Sequence, residues 1–262
     1  MKLQGRVAIV TGGSRGIGRG IAIKLADEGA DIVVASTTLE PAEQVVREVE
    51  ARGRKGLALQ TDVSRFDEVA RAVDQTMEAF GRIDILVNNA GGSARARMSM
   101  FCDSEEATWE HVLGTNLKGV FYTCRHVIGH MQKKGSGSII NIGSVAGMIG
   151  LASQVDYSAA KGGVIAFTKA LAKEVAPQGV RVNCVSPGPI SSDAGRHIPA
   201  EVKQGLAITE LSKATGFGHF GEPADVANLV AFLASDDAKF ITGQNYPVCG
   251  VMNLGLTEPL LG

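Results

Sequence analysis

The chain has 262 residues, of which 45% are hydrophobic and 20% are charged, as in ordinary globular proteins. Its formal net charge of -1 argues against nucleic acid or an anionic membrane as a partner. No apolar run reaches the roughly 18 residues that span a bilayer, and the N-terminus shows no signal-peptide pattern. The four cysteines are widely spaced and form no metal-ligand motif, so we expect free thiols, no bound metal and a cytoplasmic location.

Apolar runs alternate with segments of helical period along the whole chain. The predicted strands are 6–11, 31–36, 56–62, 83–91, 137–144, 180–188 and 244–248, and the predicted helices are 16–30, 40–53, 65–81, 105–134, 155–177 and 223–235. Strands without polar residues that alternate with helices indicate a parallel sheet covered on both faces. Right-handed crossovers then give an α/β Rossmann fold, a doubly wound sheet of about seven strands with helices on both faces.

We expect a single domain over residues 1–262, because no repeat, low-complexity segment or linker interrupts the pattern. Two stretches, at about 92–107 and 189–221, break the regular alternation and follow the C-terminal ends of strands. Ligands of open α/β sheets bind at that edge, so both stretches are predicted substrate loops. The alternative is that they only cover the sheet.

A glycine-rich segment, TGGSRGIG at residues 11–18, joins the first predicted strand to the first helix. Gly12, Gly16 and Gly18 follow the spacing G-x-x-x-G-x-G, which differs from the G-x-G-x-x-G fingerprint of many dinucleotide sites. Glycines permit a tight turn and a close approach of the backbone to a pyrophosphate, and the helix N-terminus adds free N–H groups. The segment therefore predicts a dinucleotide cradle, with a plain turn as the alternative.

The end of the second strand indicates which dinucleotide binds. Many such sites carry an acid there, about 20 residues after the glycines, for the adenosine ribose hydroxyls. Here the strand ends in ASTT (35–38), which includes Ser36 and Thr37, whereas Asp31 lies at the beginning of the strand. Without a carboxylate at this point, the site can accept a 2′-phosphate, and the forked guanidinium of Arg15 can bind that phosphate. The sequence therefore favours NADP(H), with NAD(H) as the alternative.

Tyr157 and Lys161, in YSAAK, are four residues apart and share one face of a predicted helix. A tyrosine has a pKa of about 10 when unperturbed, and a neighbouring ammonium lowers that pKa. Such a pair can exchange a proton with an alcohol or carbonyl oxygen, although a surface Tyr–Lys pair is also common. Ser144, at the end of the preceding strand, could hold the reacting oxygen. Asn116 could be a satisfied interior polar residue, or it could order water near Lys161.

Taken together, these motifs resemble the short-chain dehydrogenase/reductase family over essentially the whole chain. The matching motifs are TGGSRGIG (11–18), NNAG (88–91), Asn116, Ser144, YSAAK (157–161) and PGPI (187–190). The closest pattern is that of 3-oxoacyl-(acyl carrier protein) reductases, and the stretch 174–193 reads much like theirs. The resemblance implies an oxidoreductase in which a nicotinamide cofactor carries the hydride.

The resemblance also implies a role for each matching residue. Tyr157 would be the general acid or base, Lys161 would lower its pKa and bind the nicotinamide ribose, and Ser144 would bond the substrate oxygen. Asn116 would hold a water in a proton relay through Lys161. The predicted cofactor contacts are Gly12, Ser14, Arg15, Gly16, Ile17, Gly18, Ser36, Thr37, Asp62, Val63, Asn89, Ala90, Gly91, Tyr157, Lys161, Pro187, Gly188, Ile190 and Ser192.

Two segments depart from the family pattern. PVCGVMN, at 247–253, stands where members usually have an acid and two glycines near subunit contacts. The loop after NNAG is longer than in simple ketoacyl reductases, which would reshape the substrate mouth. By resemblance, the apolar surface of the helices near 105–134 and 155–176 implies a homotetramer or a homodimer, with core packing as the alternative.

The sequence is compatible with three functions. The leading prediction is an NADP(H)-dependent enzyme that interconverts a ketone and a secondary alcohol, both small molecules, as in 3-oxoacyl reduction. The alternative is an NAD-dependent dehydrogenase of a polyol, sugar or cyclic alcohol. A non-catalytic nucleotide-binding module is disfavoured because all four predicted catalytic residues are present. An acidic acyl carrier would need basic residues near the cleft, for which the candidates are Arg125, Lys133, Lys134, Lys169 and Lys173.

Overall fold

Seven strands and eight α-helices alternate along the part of the chain that the computed structural model describes, residues 1–93, 99–191 and 215–255. The strands are β1 (Val7–Thr11), β2 (Asp31–Ser36), β3 (Gly56–Gln60), β4 (Ile85–Asn88), β5 (Gly137–Ile142), β6 (Val180–Pro187) and β7 (Asn245–Val248). The helices are α1 (Gly16–Asp27), α2 (Leu39–Glu50), α3 (Phe66–Phe80), α4 (Glu106–Leu113), α5 (Gly119–Lys134), α6 (Ala146–Ile149), α7 (Val155–Val175) and α8 (Pro223–Ala234). Each predicted strand and helix is present, with its ends shifted by a few residues.

The strands form one sheet in the order β3-β2-β1-β4-β5-β6-β7, and every neighbouring pair is parallel. The chain begins at the centre with β1, runs outward to β3, and returns to place β4 on the other side of β1. Val10 of β1 consequently lies opposite Val34 of β2 and Val87 of β4. Such a reversal leaves a crevice at the carboxyl ends of β1 and β4, where open sheets bind ligands. The predicted Rossmann fold is confirmed.

Both faces of the sheet are covered, because successive strand residues point to opposite sides. In β1, Ala8 and Val10 belong to the apolar cluster formed with α1, α2 and α8, whereas Val7 and Ile9 belong to the cluster formed with α3, α5 and α7. All five residues of β1 are therefore buried, which explains why this strand reads as an uninterrupted apolar run. All seven strands of the described residues belong to this one sheet. The single domain over residues 1–262 stays a prediction.

Three differences from the predicted elements have local causes. β4 ends at Asn88 because the residues after it turn toward β1, so the predicted strand 83–91 is too long. The predicted helix 105–134 contains one π-helical turn at Gly114–Lys118, which separates α4 from α5. The helix α6 is not among the predicted elements, because four residues are too few to show a helical period.

A buried carboxylate holds the amino-terminal edge of the sheet together. Asp84 precedes β4, is only 6% exposed, and accepts hydrogen bonds from the backbone N–H of Val7 (2.9 Å), from Arg82 (2.7 and 2.8 Å) and from Lys134. Lys134, at the end of α5, also donates to the Ile83 carbonyl (2.9 Å). Burial alone would raise the pKa of Asp84, but the bonds from Arg82 and Lys134 outweigh burial and hold that pKa below its usual value.

We expect Asp84→Asn to lower the free energy of unfolding at pH 7 by about 2–4 kcal/mol, because the amide leaves Arg82 and Lys134 without their counter-charge. The folded-state pKa of Asp84 is depressed, so its contribution is present above the unfolded pKa of about 4 and is lost as the pH falls through the folded value. Urea denaturation monitored by circular dichroism measures both effects. Asp74→Asn, an exposed acid on α3, is the control; equal denaturation midpoints for the two variants would contradict the prediction.

Candidate active site

The glycine-rich loop between β1 and α1 packs tightly against the chain that follows β4. Gly12 and Gly16 have left-handed backbones (φ +61° and +54°), which only glycine adopts readily. A Cβ on Gly18 would lie 2.2 Å from the Gly12 carbonyl oxygen and 2.5 Å from Nδ2 of Asn89. Any side chain at residue 18 would therefore push the first turn of α1 away from the loop. Ile17, between these glycines, is half-buried and packs against the core.

Thr11 and Asn89 join this loop to the end of β4. The Thr11 hydroxyl accepts hydrogen bonds from the N–H groups of Asn89 and Ala90, both at 3.0 Å, and donates to the Val87 carbonyl at 3.3 Å. In return, Nδ2 of Asn89 donates to the carbonyls of Thr11 and Gly12, both at 3.0 Å. Asn89 and Ala90 therefore lie beside the glycine-rich loop, and their contact with a cofactor stays a prediction. Thr11 is not among the predicted site residues, although it is the first residue of TGGSRGIG.

The N-terminus of α1 is suited to an anion. Arg15 occupies the N-cap position in an extended conformation (φ -156°), and arginine carries no acceptor that could cap the helix N–H groups. Those N–H groups stay available to a phosphate, which the partial positive charge of the 12-residue helix also attracts. The cradle that a Cβ would fill and the uncapped helix together fit the pyrophosphate of a dinucleotide.

The residues that would distinguish NADP from NAD meet at the carboxyl ends of β1 and β2. Oγ of Ser14 and Oγ of Ser36 lie 2.8 Å apart, which brings the neighbouring Arg15 and Thr37 to the same place, and both of these side chains are exposed. Asp31 lies at the opposite end of β2, where its carboxylate accepts hydrogen bonds from Arg54 (2.8 and 3.1 Å). It is therefore not available to a ribose at the carboxyl edge.

Asp62 and Val63 follow β3, at the same edge of the sheet. Oδ1 of Asp62 accepts hydrogen bonds from the backbone N–H (2.9 Å) and the hydroxyl (2.7 Å) of Ser64, and its own N–H donates to Glu68 (2.8 Å). Val63 is buried beneath α5, where a Cβ on Gly119 would lie 2.8 Å from its side chain. Asp62 therefore shapes the turn before α3, and Val63 supports that turn from below.

Lys161 is buried on α7 and anchored to the end of β5. Its Nζ donates to the Ile142 carbonyl at 2.7 Å, and its side chain is 3% exposed. The same Nζ lies 5.8 Å from the ring centroid of Tyr157, one helical turn earlier, so the predicted pair shares one face of the helix. Burial lowers the pKa of Lys161 to about 8, and the nearby Cys184 opposes this effect.

Ser144 follows β5, two residues beyond the carbonyl that anchors Lys161. Its Oγ accepts a hydrogen bond from the Ala146 N–H at 3.1 Å, which leaves the hydroxyl proton for another acceptor. The short helix α6 holds this segment on α7, because a Cβ on Gly147 would lie 2.5 Å from the backbone of Lys161 and Gly162. The contact of α6 with α7 thus brings the end of β5 close to the helix that carries Tyr157 and Lys161.

Asn116 lies in the π-helical turn and holds the chain after β4. Its Nδ2 donates to the carbonyls of Gly92 (3.0 Å) and Val112 (2.9 Å), and its Oδ1 accepts from the Gly92 N–H (3.0 Å). Gly91 has φ +144°, and a Cβ there would lie 2.3 Å from Oδ1 of Asn116. Both amide hydrogens are used by the protein, so the side chain first of all fixes the backbone at Gly91 and Gly92.

The chain after β6 closes the other side of the crevice. The Val145 N–H donates to the Pro187 carbonyl (3.1 Å), and the Gly188 N–H donates to the Val248 carbonyl (2.9 Å). A Cβ on Gly188 would lie 2.7 Å from Cβ of Cys249, which belongs to the unusual segment 247–253. Ile190 forms an isolated bridge with Gly221. Ser192, the remaining predicted contact, lies outside the described residues.

The basic residues considered for carrier docking lie mostly away from this crevice. Lys134 is bonded to Asp84 at the amino-terminal edge of the sheet. Lys133 and Lys173 lie in the last turns of α5 and α7, which precede β5 and β6 and therefore end at that same edge.

Over residues 1–93, 99–191 and 215–255, no helix is long and apolar enough to cross a membrane. Over the same ranges, no three His, Cys, Asp or Glu side chains are grouped to hold a metal ion.

Known proteins resemble this chain over nearly its whole length. The family model described as enoyl-(acyl carrier protein) reductase matches residues 12–253. The 3-oxoacyl-(acyl-carrier-protein) reductase FabG of Staphylococcus aureus is 44% identical over 246 residues, which cover 94% of this chain and 97% of the relative. The (2S)-((R)-hydroxy(phenyl)methyl)succinyl-CoA dehydrogenase subunit BbsD of Thauera aromatica is 41% identical over 254 residues, which cover 97% of this chain and 99% of the relative.

A solved structure agrees with these sequence comparisons. NAD+-bound xylitol dehydrogenase superimposes with a TM-score of 0.90 at 30% identity, and the match covers 95% of this chain and 100% of that one. These relatives are all reductases or dehydrogenases, and each match covers at least 94% of this chain. The chain is therefore an oxidoreductase of the short-chain dehydrogenase/reductase family, whose members use NAD(P).

Proposed function

We propose that the protein is an NADP(H)-dependent enzyme that interconverts a ketone and a secondary alcohol, with Tyr157 as the acid and base. One observation carries the proposal: the buried ammonium of Lys161, fixed by the Ile142 carbonyl, lies one helical turn from the Tyr157 ring at the ligand edge of the sheet. Identity of 44% to a 3-oxoacyl-(acyl-carrier-protein) reductase supports a reaction of the same kind. The substrate itself is a separate question.

In this mechanism the chain handles a proton, while the bound nicotinamide supplies or accepts a hydride. With a pKa of about 8, Lys161 is mostly protonated at pH 7, so it presents a cation to Tyr157. That cation favours the phenolate and brings the phenol toward the pKa that an acid-base group needs at neutral pH. Tyr157 then gives its proton to the oxygen of a ketone, or removes one from an alcohol.

Ser144 and Asn116 orient the reacting groups. Because Oγ of Ser144 accepts the Ala146 N–H, its hydroxyl proton can be donated to the substrate oxygen. A donor at that oxygen stabilises the charge that develops during transfer. Asn116 fixes Gly91 and Gly92 beside Lys161, and a relay water bound through Asn116 would use an atom other than its two amide hydrogens.

The choice of NADP rests on the residues at the ends of β1 and β2. Ser14 and Ser36 are in contact, Arg15 is exposed beside them, and Asp31 is bonded to Arg54 at the opposite edge. A 2′-phosphate at this place meets a guanidinium and small hydroxyls rather than a carboxylate. The same phosphate would be repelled if an acid ended β2.

An NAD-dependent dehydrogenase of a polyol, sugar or cyclic alcohol is the second candidate. It is supported by the similarity to NAD+-bound xylitol dehydrogenase at 30% identity over nearly the full length of both chains. A non-catalytic nucleotide-binding module is the least supported, because such a module has no use for a buried lysine beside Tyr157. The cytoplasmic location stays a prediction, and so does the homotetramer or homodimer. The half-exposed Phe121 offers an apolar surface for a second copy of the chain, and its ring lies 4.6 Å from that of Phe167.

Tyr157→Phe is expected to lower kcat by about 10²–10⁴-fold, because it removes the acid-base group, while the Kd for NADPH changes little. Steady-state assays and fluorescence titration with NADPH measure the two quantities. Tyr122→Phe is the matched control and should keep full activity, because the Tyr122 ring on α5 packs against Phe66 of α3 at 5.2 Å. Undiminished turnover in Tyr157→Phe would show that another group transfers the proton.

Arg15→Ala is expected to raise the KM for NADPH by about tenfold and the KM for NADH by less than about twofold, because only NADPH carries the 2′-phosphate. Arg19→Ala is the matched control, since Arg19 is one turn further along α1 and pairs with Glu48 at 2.6 Å. Equal effects on both cofactors would remove Arg15 from the 2′-phosphate site. A wild-type preference for NADH would overturn the choice of NADP.

Lys161→Met tests the buried charge through stability. The folded-state pKa of about 8 is below the ordinary lysine pKa of 10.5, so between these values the unfolded chain binds more protons than the folded one. The free energy of unfolding of the wild type should therefore rise with pH relative to Lys161→Met, by at most about 3 kcal/mol. Urea denaturation of both cofactor-free proteins between about pH 7 and pH 10.5 measures this difference. A difference that does not change with pH means that Lys161 keeps an ordinary pKa.

A further inference from the structure

The turn between β2 and α2 is held by a side chain of the neighbouring strand β3. Gln60 is the last residue of β3 and lies opposite Ser36, the last residue of β2, in the parallel pair. Its Nε2 donates a hydrogen bond to the Thr37 carbonyl at 3.1 Å. Gln60 is exposed and lies at the carboxyl edge of the sheet, where open sheets bind ligands. It therefore fixes the backbone of the turn that carries Thr37.

This hydrogen bond determines the direction of one peptide unit. The C=O of Thr37 and the N–H of Thr38 belong to the same trans peptide, so they point in opposite directions. Because the carbonyl faces Gln60, the Thr38 N–H faces away from β3. The strand on that other side of β2 is β1, which leads to Ser14 and Arg15. The peptide therefore turns its donor, rather than its acceptor, toward the side where Arg15 lies.

The donor that this peptide presents is available to an anion. Within the described ranges no hydrogen bond uses the Thr38 N–H, and Thr38, the N-cap residue of α2, makes no side-chain capping bond. Free N–H groups at the first turn of a helix bind phosphate oxygens, which the partial positive charge of the 12-residue helix also attracts. Without the bond from Gln60, the peptide would be free to rotate and to present the Thr37 carbonyl, which repels a phosphate.

The charges around the turn leave Gln60 as an uncharged group beside a single cation. Arg15 is exposed next to the turn, and Glu40 is exposed in the first turn of α2, where solvent and salt screen its charge. Oδ1 of Asp62, two residues after Gln60, is bonded to Ser64. An added charge at residue 60 acts over a Debye length of about 10 Å, so it changes the potential at the whole turn.

We infer that Gln60 is a specificity-determining residue for the 2′-phosphate of NADP(H), and that it acts by positioning the peptide between Thr37 and Thr38. The inference rests on the proposed use of NADP(H), and it adds a residue of β3 to the site at the ends of β1 and β2. The amide of Gln60 binds the Thr37 carbonyl, so the Thr38 N–H is directed to a phosphate oxygen beside Arg15. A ribose hydroxyl gains less from this donor, because hydrogen bonds to a charged acceptor are about twice as strong.

The test measures binding to the cofactor-free enzyme by isothermal titration calorimetry, without turnover. The probes are NADP+ and NAD+, which differ only in the 2′-phosphate. Gln60→Met keeps the length of the side chain but donates no hydrogen bond. Its Kd for NADP+ should rise by about threefold to tenfold, the effect of one hydrogen bond, and its Kd for NAD+ by less than about twofold.

Charged variants at the same position test where the phosphate lies. Gln60→Glu loses the donor and adds a carboxylate, so its Kd for NADP+ should rise by about tenfold or more. Gln60→Lys keeps a donor and adds a cation, so its Kd for NADP+ should fall by about twofold to threefold. The KM for NADPH should follow the same order of variants, and the KM for NADH should not. Gln132→Glu and Gln132→Lys are the matched controls, because Gln132 lies in the last turn of α5 at the amino edge of the sheet.

Three results would overturn the inference. If Gln60→Met binds NADP+ as tightly as the wild type does, the amide does not position the peptide, while the proposed function stands. If each substitution changes the Kd for NADP+ and for NAD+ by the same factor, Gln60 does not distinguish the 2′-phosphate. If the wild type binds NAD+ at least as tightly as NADP+, the choice of NADP(H) fails and the inference fails with it.

Discussion

The hydrogen bond from the Lys161 ammonium to the Ile142 carbonyl determines the geometry of the candidate site. A buried ammonium is costly unless it is bonded, and this carbonyl at the end of β5 provides the bond. The bond fixes α7 against the carboxyl edge of the sheet, and with it the position of Tyr157 one turn earlier. Ser144 lies two residues after Ile142, just beyond the end of β5, so the contact between β5 and α7 positions both the serine and the tyrosine.

Buried amides and hydroxyls add further hydrogen bonds between the central strands and the helices α5 and α7. Asn88 donates to Asn141 across β4 and β5 (2.9 Å), and Asn141 donates to Thr168 on α7 (2.9 Å). Thr123 of α5 donates to Oδ1 of Asn88 (2.6 Å). This network connects both neighbouring strands to the two helices that follow them. A satisfied polar network in a core permits fewer alternative packings than an apolar one, so α5 and α7 have little freedom to slide over the sheet.

Apolar patterning was sufficient to predict the sheet and the positions of its helices. The strands are buried on both faces, so they appear in the sequence as unbroken apolar runs, and the helices between them keep a regular period. The cradle at Gly12 and Gly18 and the pair Tyr157–Lys161 could also be predicted, because their spacing is itself the signal. The contacts made by Thr11 and Asn116 could not, since a side chain that bonds the backbone of a distant loop leaves no periodic trace. The short helix α6 was missed for a similar reason.

Charge is distributed unequally between the two edges of the sheet. The amino edge is held by ion pairs, namely Asp84 with Arg82 and Lys134, Asp31 with Arg54, and Arg6 with Asp236. At the carboxyl edge, by contrast, the bonds that shape the cradle come from uncharged groups on Thr11, Asn89 and Ser14. Salt screens the first kind of contact far more than the second. The cradle can therefore keep its shape in a medium that weakens the opposite edge, and surface charges at the amino edge can change over evolution without moving the residues around the ligand.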